Sequence, residues 1–283
     1  MIGGGFAQRA GIQRVAEQEL AKYAETVTDL KPVVIIAGPT ASGKSRLALD
    51  IAREFQGTVI NADSMQVYAE LRVLTARPTP ADEKAAPHRL FGVLAAAERC
   101  SAGRWLKLAA AEIADTHRAG RLPVVVGGTG LYLKALTEGL AEIPEVPDAV
   151  NDKVRRRFDE IGGEAFRNEL ANLDPATAAR LPAADGQRLK RAMAVAIATG
   201  KPLSDWQRRQ PDASWVEARF AVIALAPPRD VLYAAADARF ERMMAMGALD
   251  EVKALVGLGL NPGLPAMKAL GVPELHRHLA GDI

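Results

Sequence analysis

The sequence predicts an α/β fold, in which a parallel sheet forms the core and a helical insert interrupts it. Short β-branched runs alternate with helical stretches along most of the chain, a pattern typical of parallel strands joined by crossover helices. A glycine-rich loop follows the first such run and opens into a helical pattern. Between residues 148 and about 210, only helical patterns occur. A chain of 283 residues can bury an α/β core of this kind together with one smaller domain.

Each predicted element rests on its own local pattern. The predicted strands are short apolar runs, and they occupy residues 33–37, 58–61, 123–126 and 220–225. The predicted helices have apolar residues at helical spacing, and they cover about 44–55, 104–118, 131–138, 229–256 and 265–280. Residues 76–89 are rich in proline, alanine and charge, and we expect an exposed loop there.

Composition changes along the chain predict three parts. Residues 1–31 are expected to be an N-terminal extension, either a partly helical lead-in to the first strand or a disordered segment. Residues 32–140 and 211–283 are expected to form the α/β core with its C-terminal helices, and residues 141–210 the helical insert. The run Ile143–Pro147 contains two prolines that remove amide donors and fix φ, so we interpret it as the hinge into the insert.

The loop after the first strand fits the phosphate-loop pattern G-x-x-x-x-G-K-[ST] at every fixed position. Its residues are Gly38, Pro39, Thr40, Ala41, Ser42, Gly43, Lys44 and Ser45. The glycines allow backbone N–H groups to turn inward, and the helix that follows adds its positive N-terminal dipole. Lys44 supplies a full charge for terminal phosphates, and the Ser45 hydroxyl is placed to ligate Mg²⁺. The pattern therefore predicts a P-loop core, similar to that of nucleoside triphosphatases, that holds a polyphosphate.

Two further positions lie at predicted strand ends, where ligands bind in such sheets. Asp63 follows the second strand and is a candidate Mg²⁺ partner or general base, although a purely structural carboxylate remains an alternative. Thr129 lies among three glycines after the third strand, either beside a ligand or in a tight turn. Arg229, Arg239 and Arg242 in a late helix are candidates to close over phosphates, or else ordinary surface residues.

Composition restricts the cellular setting and the partners. The only cysteine, Cys100, excludes an intramolecular disulfide and fits a reducing cytoplasm. No apolar run approaches 18 residues and the N-terminus does not resemble a signal peptide, so we expect a cytoplasmic protein without a membrane partner. The four histidines lack metal-ligand spacing. Residues 151–210 hold twelve Lys or Arg against eight Asp or Glu, which suits either a solvated helical face or an RNA partner.

Five motifs carry a family resemblance, and they occur in the family's order. They read GPTASGKS from residue 38, NADSMQVY from 61, VGGTGLYLKAL from 126, DGQRLKRAMAV from 185, and a late helix with ARF and DEV that is followed by LPAMKALG. Together they resemble the bacterial tRNA dimethylallyltransferases over about residues 32–280. The resemblance implies transfer of a dimethylallyl group from dimethylallyl diphosphate to the exocyclic N6 of an adenosine beside the tRNA anticodon, with release of diphosphate.

The resemblance also implies roles for individual residues. Residues 38–45 would hold the diphosphate, with Mg²⁺ at Ser45 as the cofactor. Asp63 would accept the proton from N6, Thr129 would contact the substrates near the reacting centre, and Arg239 would bind diphosphate. The implied contacts with the anticodon arm of tRNA are Asp63, Ser64, Met65, Gln66, Thr129, Asn151, Gln187, Arg188, Leu189, Lys190 and Arg191. We expect a monomer.

The sequence departs from the family pattern at three places. Ala235 stands where the family commonly has a second arginine, four residues before Arg239. Asn151 stands where some members have an arginine that contacts tRNA. The chain ends at Ile283, where relatives usually continue through another helical segment rich in basic and aromatic residues, and this leaves the affinity for tRNA and the stability open.

Three other functions stay open at this point. A small-molecule kinase would use the same loop to bind ATP, with Asp63 beside the phosphoryl acceptor. A prenyltransferase acting on free adenine nucleotides would share the chemistry without needing the helical insert. An RNA-binding module with a vestigial loop would not be an enzyme.

Overall fold

The computed structural model describes residues 30–141, 143–208 and 216–283. These residues form two compact units, one containing the described residues up to 138 and from 216 onward, the other those from 139 to 208. The predicted boundaries of the helical insert were residues 141 and 210, so the first of them lies two residues from the observed division. The predicted N-terminal extension, residues 1–31, falls almost wholly outside the described residues.

A five-stranded parallel sheet forms the centre of the first unit. Its strands are β1 (Pro32–Ala37), β2 (Thr58–Asn61), β3 (His88–Arg89), β4 (Pro123–Gly127) and β5 (Arg219–Ala224). Their order is β3-β2-β4-β1-β5. At the centre, Ile35 is in register with Val125 on one side and Val222 on the other. The α/β prediction and all four predicted strands are confirmed.

The middle strands are buried on both faces, as the continuous Val and Ile runs predict for a parallel sheet. Residues 33–36 are at most 1% exposed, and β2 and β4 are buried throughout. Four helices follow in this part of the chain: α1 (Lys44–Glu54), α2 (Pro80–Ala85), α3 (Ala102–Arg118) and α4 (Gly130–Glu138). The apolar face of α1, which includes Ala48 and Leu49, packs against Val124 and Val126 of β4.

The prediction that residues 76–89 form a loop is wrong. Thr79 and Asp82 make a reciprocal capping box with Pro80 at the first helical position, and this starts α2. His88 and Arg89 then pair with Val59 and Ile60 of β2, which creates β3. A strand of two residues is too short to show an alternating or apolar pattern in the sequence. It forms because β2 provides the partner for its backbone.

Among the described residues of the second unit, the regular secondary structure consists of helices. It contains α5 (Asp148–Ala171), α6 (Pro175–Arg180), α7 (Gly186–Thr199) and α8 (Leu203–Arg208). Its core has Phe166, Leu170, Leu189 and Val195 at zero exposure. Asp185 begins α7, where its carboxylate accepts from the Arg188 N–H at 3.3 Å. This core gives the unit a compact centre of its own.

Three further helices complete the sheet unit: α9 (Arg229–Ala245), α10 (Ala248–Gly257) and α11 (Val272–Ala280). A short 3₁₀ turn (Ala266–Lys268) precedes α11. Only Met243 of α9 is buried, whereas α10 buries Ala248, Val252 and Leu255. Of the residues described, no helix combines the length and the apolar character needed to span a membrane.

Gly127 allows the ends of β2 and β4 to approach closely, and we predict that Gly127→Ala destabilises the fold. An added Cβ would lie 2.1 Å from the Ala62 carbonyl oxygen, which is held because the Ala62 N–H bonds Val126 O at 2.7 Å. We expect the free energy of unfolding in urea to fall by about 1–3 kcal/mol.

Gly130→Ala is the control, because a Cβ there meets nothing within 4 Å and alanine favours the helix that begins at this residue. Its free energy of unfolding should equal or exceed that of the wild type. Equal unfolding of both variants would show that the strand ends are not tightly packed.

Candidate active site

The phosphate loop joins β1 to α1 at the carboxyl edge of the sheet. Gly43 precedes α1 with φ 90°, a left-handed conformation that glycine adopts without strain. No side chain caps the N-terminus of α1, and its first turn contains no acidic residue. The amides of this turn and the positive end of the helix dipole are therefore available to an anion. The Lys44 Nζ donates to the Pro39 carbonyl at 2.5 Å, which folds the side chain over the loop.

A pocket of about 250 Å³ lies against this loop. It is lined by Ala41, Ser42, Gly43, Lys44, Ser45, Arg46, Ala235, Arg239 and Arg242. Four of these described residues are cationic and none is acidic, so the pocket suits a polyanion. The fold thus brings Arg239 to the loop as expected. Arg242 joins it, whereas Arg229 is exposed and does not line the pocket.

The negative charge of Asp63 affects the pKa values of two cations that line the pocket, Lys44 and Arg239. Burial lowers the pKa of the Lys44 ammonium, the Asp63 carboxylate raises it, and the Arg239 guanidinium lowers it again. Burial also lowers the pKa of Arg239, Asp63 opposes that shift, and Arg242 adds to it. The negative charge of Asp63 therefore acts on both cations, and the three predicted residues form one cluster.

The turn that follows β2 fixes Asp63. Its N–H donates to Asn61 Oδ1 at 2.8 Å, and Asn61 Nδ2 donates to the Asp63 carbonyl at 2.9 Å. Asp63 Oδ1 accepts from the N–H groups of Met65 at 2.8 Å and Gln66 at 3.4 Å. Both of these bonds fall on Oδ1, so within the described part of the chain Oδ2 is the oxygen left to receive a proton.

Thr129 lies beside the same turn. Its N–H donates to the Ala62 carbonyl at 3.3 Å, and its Oγ1 accepts from the Ser64 N–H at 3.0 Å. The hydroxyls of Thr129 and Ser64 are 3.4 Å apart. Thr129 is half-buried, so part of it remains open to a ligand while the rest joins the end of β4 to the residue after Asp63.

Two supporting residues were not predicted as part of the site. Asn61 is fully buried, and besides its bonds to Asp63 it donates to the Leu90 carbonyl at 3.0 Å. The signal for it was present, since Asn two residues before Asp is typical of a side-chain-closed turn. Trp105, also fully buried, donates from Nε1 to the Asn61 carbonyl at 2.8 Å and stacks on Tyr132 at 4.5 Å. No local pattern indicates that long-range contact.

The predicted tRNA contacts differ in how far their side chains are accessible. In the sheet unit, Ser64, Met65 and Gln66 are half-buried. In the helical unit, the side chains of Asn151, Gln187, Arg188 and Arg191 are exposed.

Two other predicted contacts of the helical unit are engaged within it. Lys190 Nζ lies 4.4 Å from the centre of the Phe158 ring. Leu189 has zero exposure in the core, so its side chain packs inward and offers no surface to a partner. Helical spacing alone explains this difference, because residues 188 and 191 share a face that residue 189 does not.

Metal-binding potential at the site is limited to oxygen donors. No group of three or more His, Cys, Asp or Glu that could hold a metal occurs in residues 30–141, 143–208 and 216–283. The Ser45 hydroxyl is exposed at the pocket. A cation there would need oxygens from a bound phosphate to complete its coordination.

This chain is similar to known proteins over most of its length. A tRNA dimethylallyltransferase of Rhodospirillum centenum is 57% identical over 253 residues, which are 89% of this chain and 81% of that protein. One from Rhodopseudomonas palustris is 54% identical over 250 residues, 88% of this chain and 78% of that protein.

Solved structures extend the similarity to the fold. The tRNA isopentenylpyrophosphate transferase of Bacillus halodurans matches with a TM-score of 0.61 and 30% identity, over 90% of this chain and 79% of that one. A eukaryotic dimethylallyltransferase acting on tRNA matches with a TM-score of 0.74 and 27% identity, over 89% of this chain and 64% of that one.

Family models cover nearly all of the described residues. The isopentenyl transferase model matches residues 31–91, and the IPP transferase model matches residues 66–283. With the phosphate loop, Asp63, Thr129 and Arg239 at one sheet edge, we conclude that this chain belongs to the IPP transferase family.

Proposed function

We propose that this chain is a tRNA dimethylallyltransferase. It transfers the dimethylallyl group of dimethylallyl diphosphate to the exocyclic N6 of an adenosine adjacent to the anticodon and releases diphosphate. The observation that carries the proposal is that the fold places a cationic pocket, lined by Lys44 and Arg239, at the sheet edge where the turn after β2 fixes the Asp63 carboxylate. The identity of 57% to a tRNA dimethylallyltransferase supports the same activity.

The cationic pocket binds the diphosphate, which is the leaving group of the reaction. As the bond between the allylic carbon and the diphosphate oxygen breaks, its electron pair moves onto the diphosphate. Lys44, Arg239 and the amides at the start of α1 stabilise the negative charge that develops there. Because burial disfavours the charge on Lys44 and Arg239, an anion between them is held more firmly than one between exposed cations.

Asp63 is the general base for the nucleophile, the N6 amine of the adenosine. The N6 amine of adenine is weakly nucleophilic because its lone pair is delocalised into the ring. As nitrogen bonds to carbon it must lose a proton, and the Asp63 carboxylate accepts it. General base catalysis of this kind contributes about 10²- to 10⁴-fold to the rate. The Asn61 turn keeps the carboxylate in place, because backbone amides hold Oδ1.

The residues at the loop fit Mg²⁺, which we propose as the cofactor. Mg²⁺ is usually held by one or two protein oxygens together with substrate phosphates rather than by a cage of side chains. The exposed Ser45 hydroxyl supplies such an oxygen. When bound, the ion would neutralise part of the diphosphate charge and so favour its departure.

The helical unit is proposed to hold tRNA. An adenosine stacked in the anticodon loop must leave its stack to reach a carbon beside the phosphate loop, and this needs a grip on the flanking backbone. Exposed Gln187, Arg188 and Arg191 on α7 can bond phosphate and sugar oxygens. We propose that the protein works as a monomer in the reducing cytoplasm, a setting that a single cysteine suits.

The decisive test of this function is incubation with unmodified tRNA, radiolabelled dimethylallyl diphosphate and Mg²⁺. We expect label on an adenosine beside the anticodon and none on free AMP. Label on AMP alone would favour a nucleotide prenyltransferase. RNA binding without transfer would favour a non-enzymatic module, and much tighter binding of ATP than of dimethylallyl diphosphate would favour a kinase.

Asp63→Asn should remove the base while keeping the turn. The amide oxygen can still accept from the Met65 N–H, but the side chain cannot take up a proton at neutral pH. We expect kcat to fall about 10²- to 10⁴-fold. The affinity for Mg²⁺–pyrophosphate, measured by calorimetry, should change by less than about threefold. Turnover within a few-fold of the wild type would exclude Asp63 as the base.

Arg239→Ala should weaken diphosphate binding. Hydrogen bonds to charged groups contribute about 1.5–3 kcal/mol, so the dissociation constant for Mg²⁺–pyrophosphate should rise about 10- to 100-fold. Arg229→Ala is the matched control, since it removes the same charge from the exposed start of α9 away from the pocket. Equal losses in the two variants would indicate a general charge effect rather than a contact made by Arg239.

A further inference from the structure

Glu251, in the first turn of α10, makes an unusual set of contacts with a distant segment. Its carboxylate accepts from three consecutive backbone N–H groups: Arg72 at 2.7 Å and Val73 at 2.7 Å on Oε2, and Leu74 at 2.8 Å on Oε1. Hydrogen bonds to an ionised carboxylate are about twice as strong as neutral ones. A single side chain therefore ties α10 to residues that precede it by 177 to 179 positions.

The segment 71–77 is also fixed from within. Thr75 Oγ1 donates to the Leu71 carbonyl at 2.5 Å, and Arg77 Nη1 donates to the Tyr68 and Ala69 carbonyls at 3.2 and 3.1 Å. Ala76 has φ 49°, a conformation that a non-glycine residue adopts only when its surroundings impose it. The bonds to Glu251 lie two to four residues before Ala76 and help to impose this conformation.

The carbonyl of Thr75 joins both sides of the proposed active site. It accepts from Arg239 Nη2 at 3.2 Å and from Gln66 Nε2 at 2.8 Å. Arg239 lines the diphosphate pocket, and Gln66 is in the turn that follows Asp63. One backbone oxygen thus sets the orientation of a guanidinium on the diphosphate side and of an amide on the tRNA side.

We propose that Glu251 is a positioning residue for the prenyl transfer. It holds residues 72–74 so that the Thr75 carbonyl orients Arg239 toward the diphosphate and Gln66 toward the tRNA. Glu251 does not line the pocket, so it acts only through the segment. Without its carboxylate, three half-buried or buried N–H groups lose their acceptor and the segment relaxes. This inference rests on the proposed function for the identity of the two substrates.

Glu251→Gln tests the proposal, because it keeps the side-chain length but replaces one accepting oxygen by an NH₂ group that cannot accept. We expect the dissociation constant for Mg²⁺–pyrophosphate and the KM for dimethylallyl diphosphate to rise about tenfold. The KM for tRNA should rise as well, while kcat stays within about threefold.

Asp250→Asn is the control, since it removes the same charge from the same first turn of α10. Its pyrophosphate affinity and both KM values should match the wild type. The double variant Glu251→Gln/Arg239→Ala provides a second readout. If Glu251 acts through Arg239, adding Glu251→Gln to Arg239→Ala should weaken pyrophosphate binding by less than about twofold.

Wild-type pyrophosphate affinity in folded Glu251→Gln would overturn the proposal, as would a full additive loss in the double variant. A lower melting temperature accompanied by unchanged affinity and unchanged KM values would also overturn it, because the role would then be structural only. The pyrophosphate titration needs no transfer reaction. It therefore decides the role of Glu251 even if the wild type does not modify tRNA.

Discussion

The attraction between Asp63 and the cations Lys44 and Arg239 is the interaction on which the account of this site depends. It exists because the strand order places β1 beside β4 and β4 beside β2, so that the residues after Ala37, Asn61 and Gly127 meet at one edge. The phosphate loop follows the first of these ends, Asp63 the second and Thr129 the third. Late in the chain, α9 adds Arg239 to the same place.

This arrangement separates two tasks that one reaction requires. In the proposed reaction, the cationic pocket would stabilise the charge that develops on the departing diphosphate, and the Asp63 carboxylate would accept a proton from the arriving N6 amine. The pocket and the carboxylate must be close, because the same allylic carbon leaves the diphosphate and bonds to N6. The carboxylate must nevertheless stay out of the site that binds the anion. The turn closed by Asn61 is consistent with this requirement, because backbone amides hold the Asp63 carboxylate in the turn. From there its negative charge raises the pKa values of Lys44 and Arg239 against the effect of burial.

The parts of the fold and site that follow local rules could be predicted from the sequence. The β-branched runs predicted four strands, and the loop pattern predicted the glycine-containing turn between β1 and α1. Strand β3 was missed because two residues acquire their structure from pairing with β2. Glu251 was missed because its partners lie 177 or more positions away, and nothing local marks them.

Helical spacing explains which residues of α9 line the pocket. Ala235, Arg239 and Arg242 are separated by four and three residues, so they share one face of α9, and all three line the pocket. Arg229 lies ten residues before Arg239 at the start of the helix and is exposed. The same rule separates Leu189, which is in the core, from the exposed Arg188 and Arg191.

The measurement that tests the account most directly is a crystal structure with Mg²⁺ and dimethylallyl thiodiphosphate, an analogue whose leaving group departs slowly. We expect the diphosphate to lie against the amides of residues 41–45 with Arg239 bonded to it, and the allylic carbon to be directed toward Asp63. A diphosphate bound outside this pocket, or an allylic carbon directed away from Asp63, would contradict it.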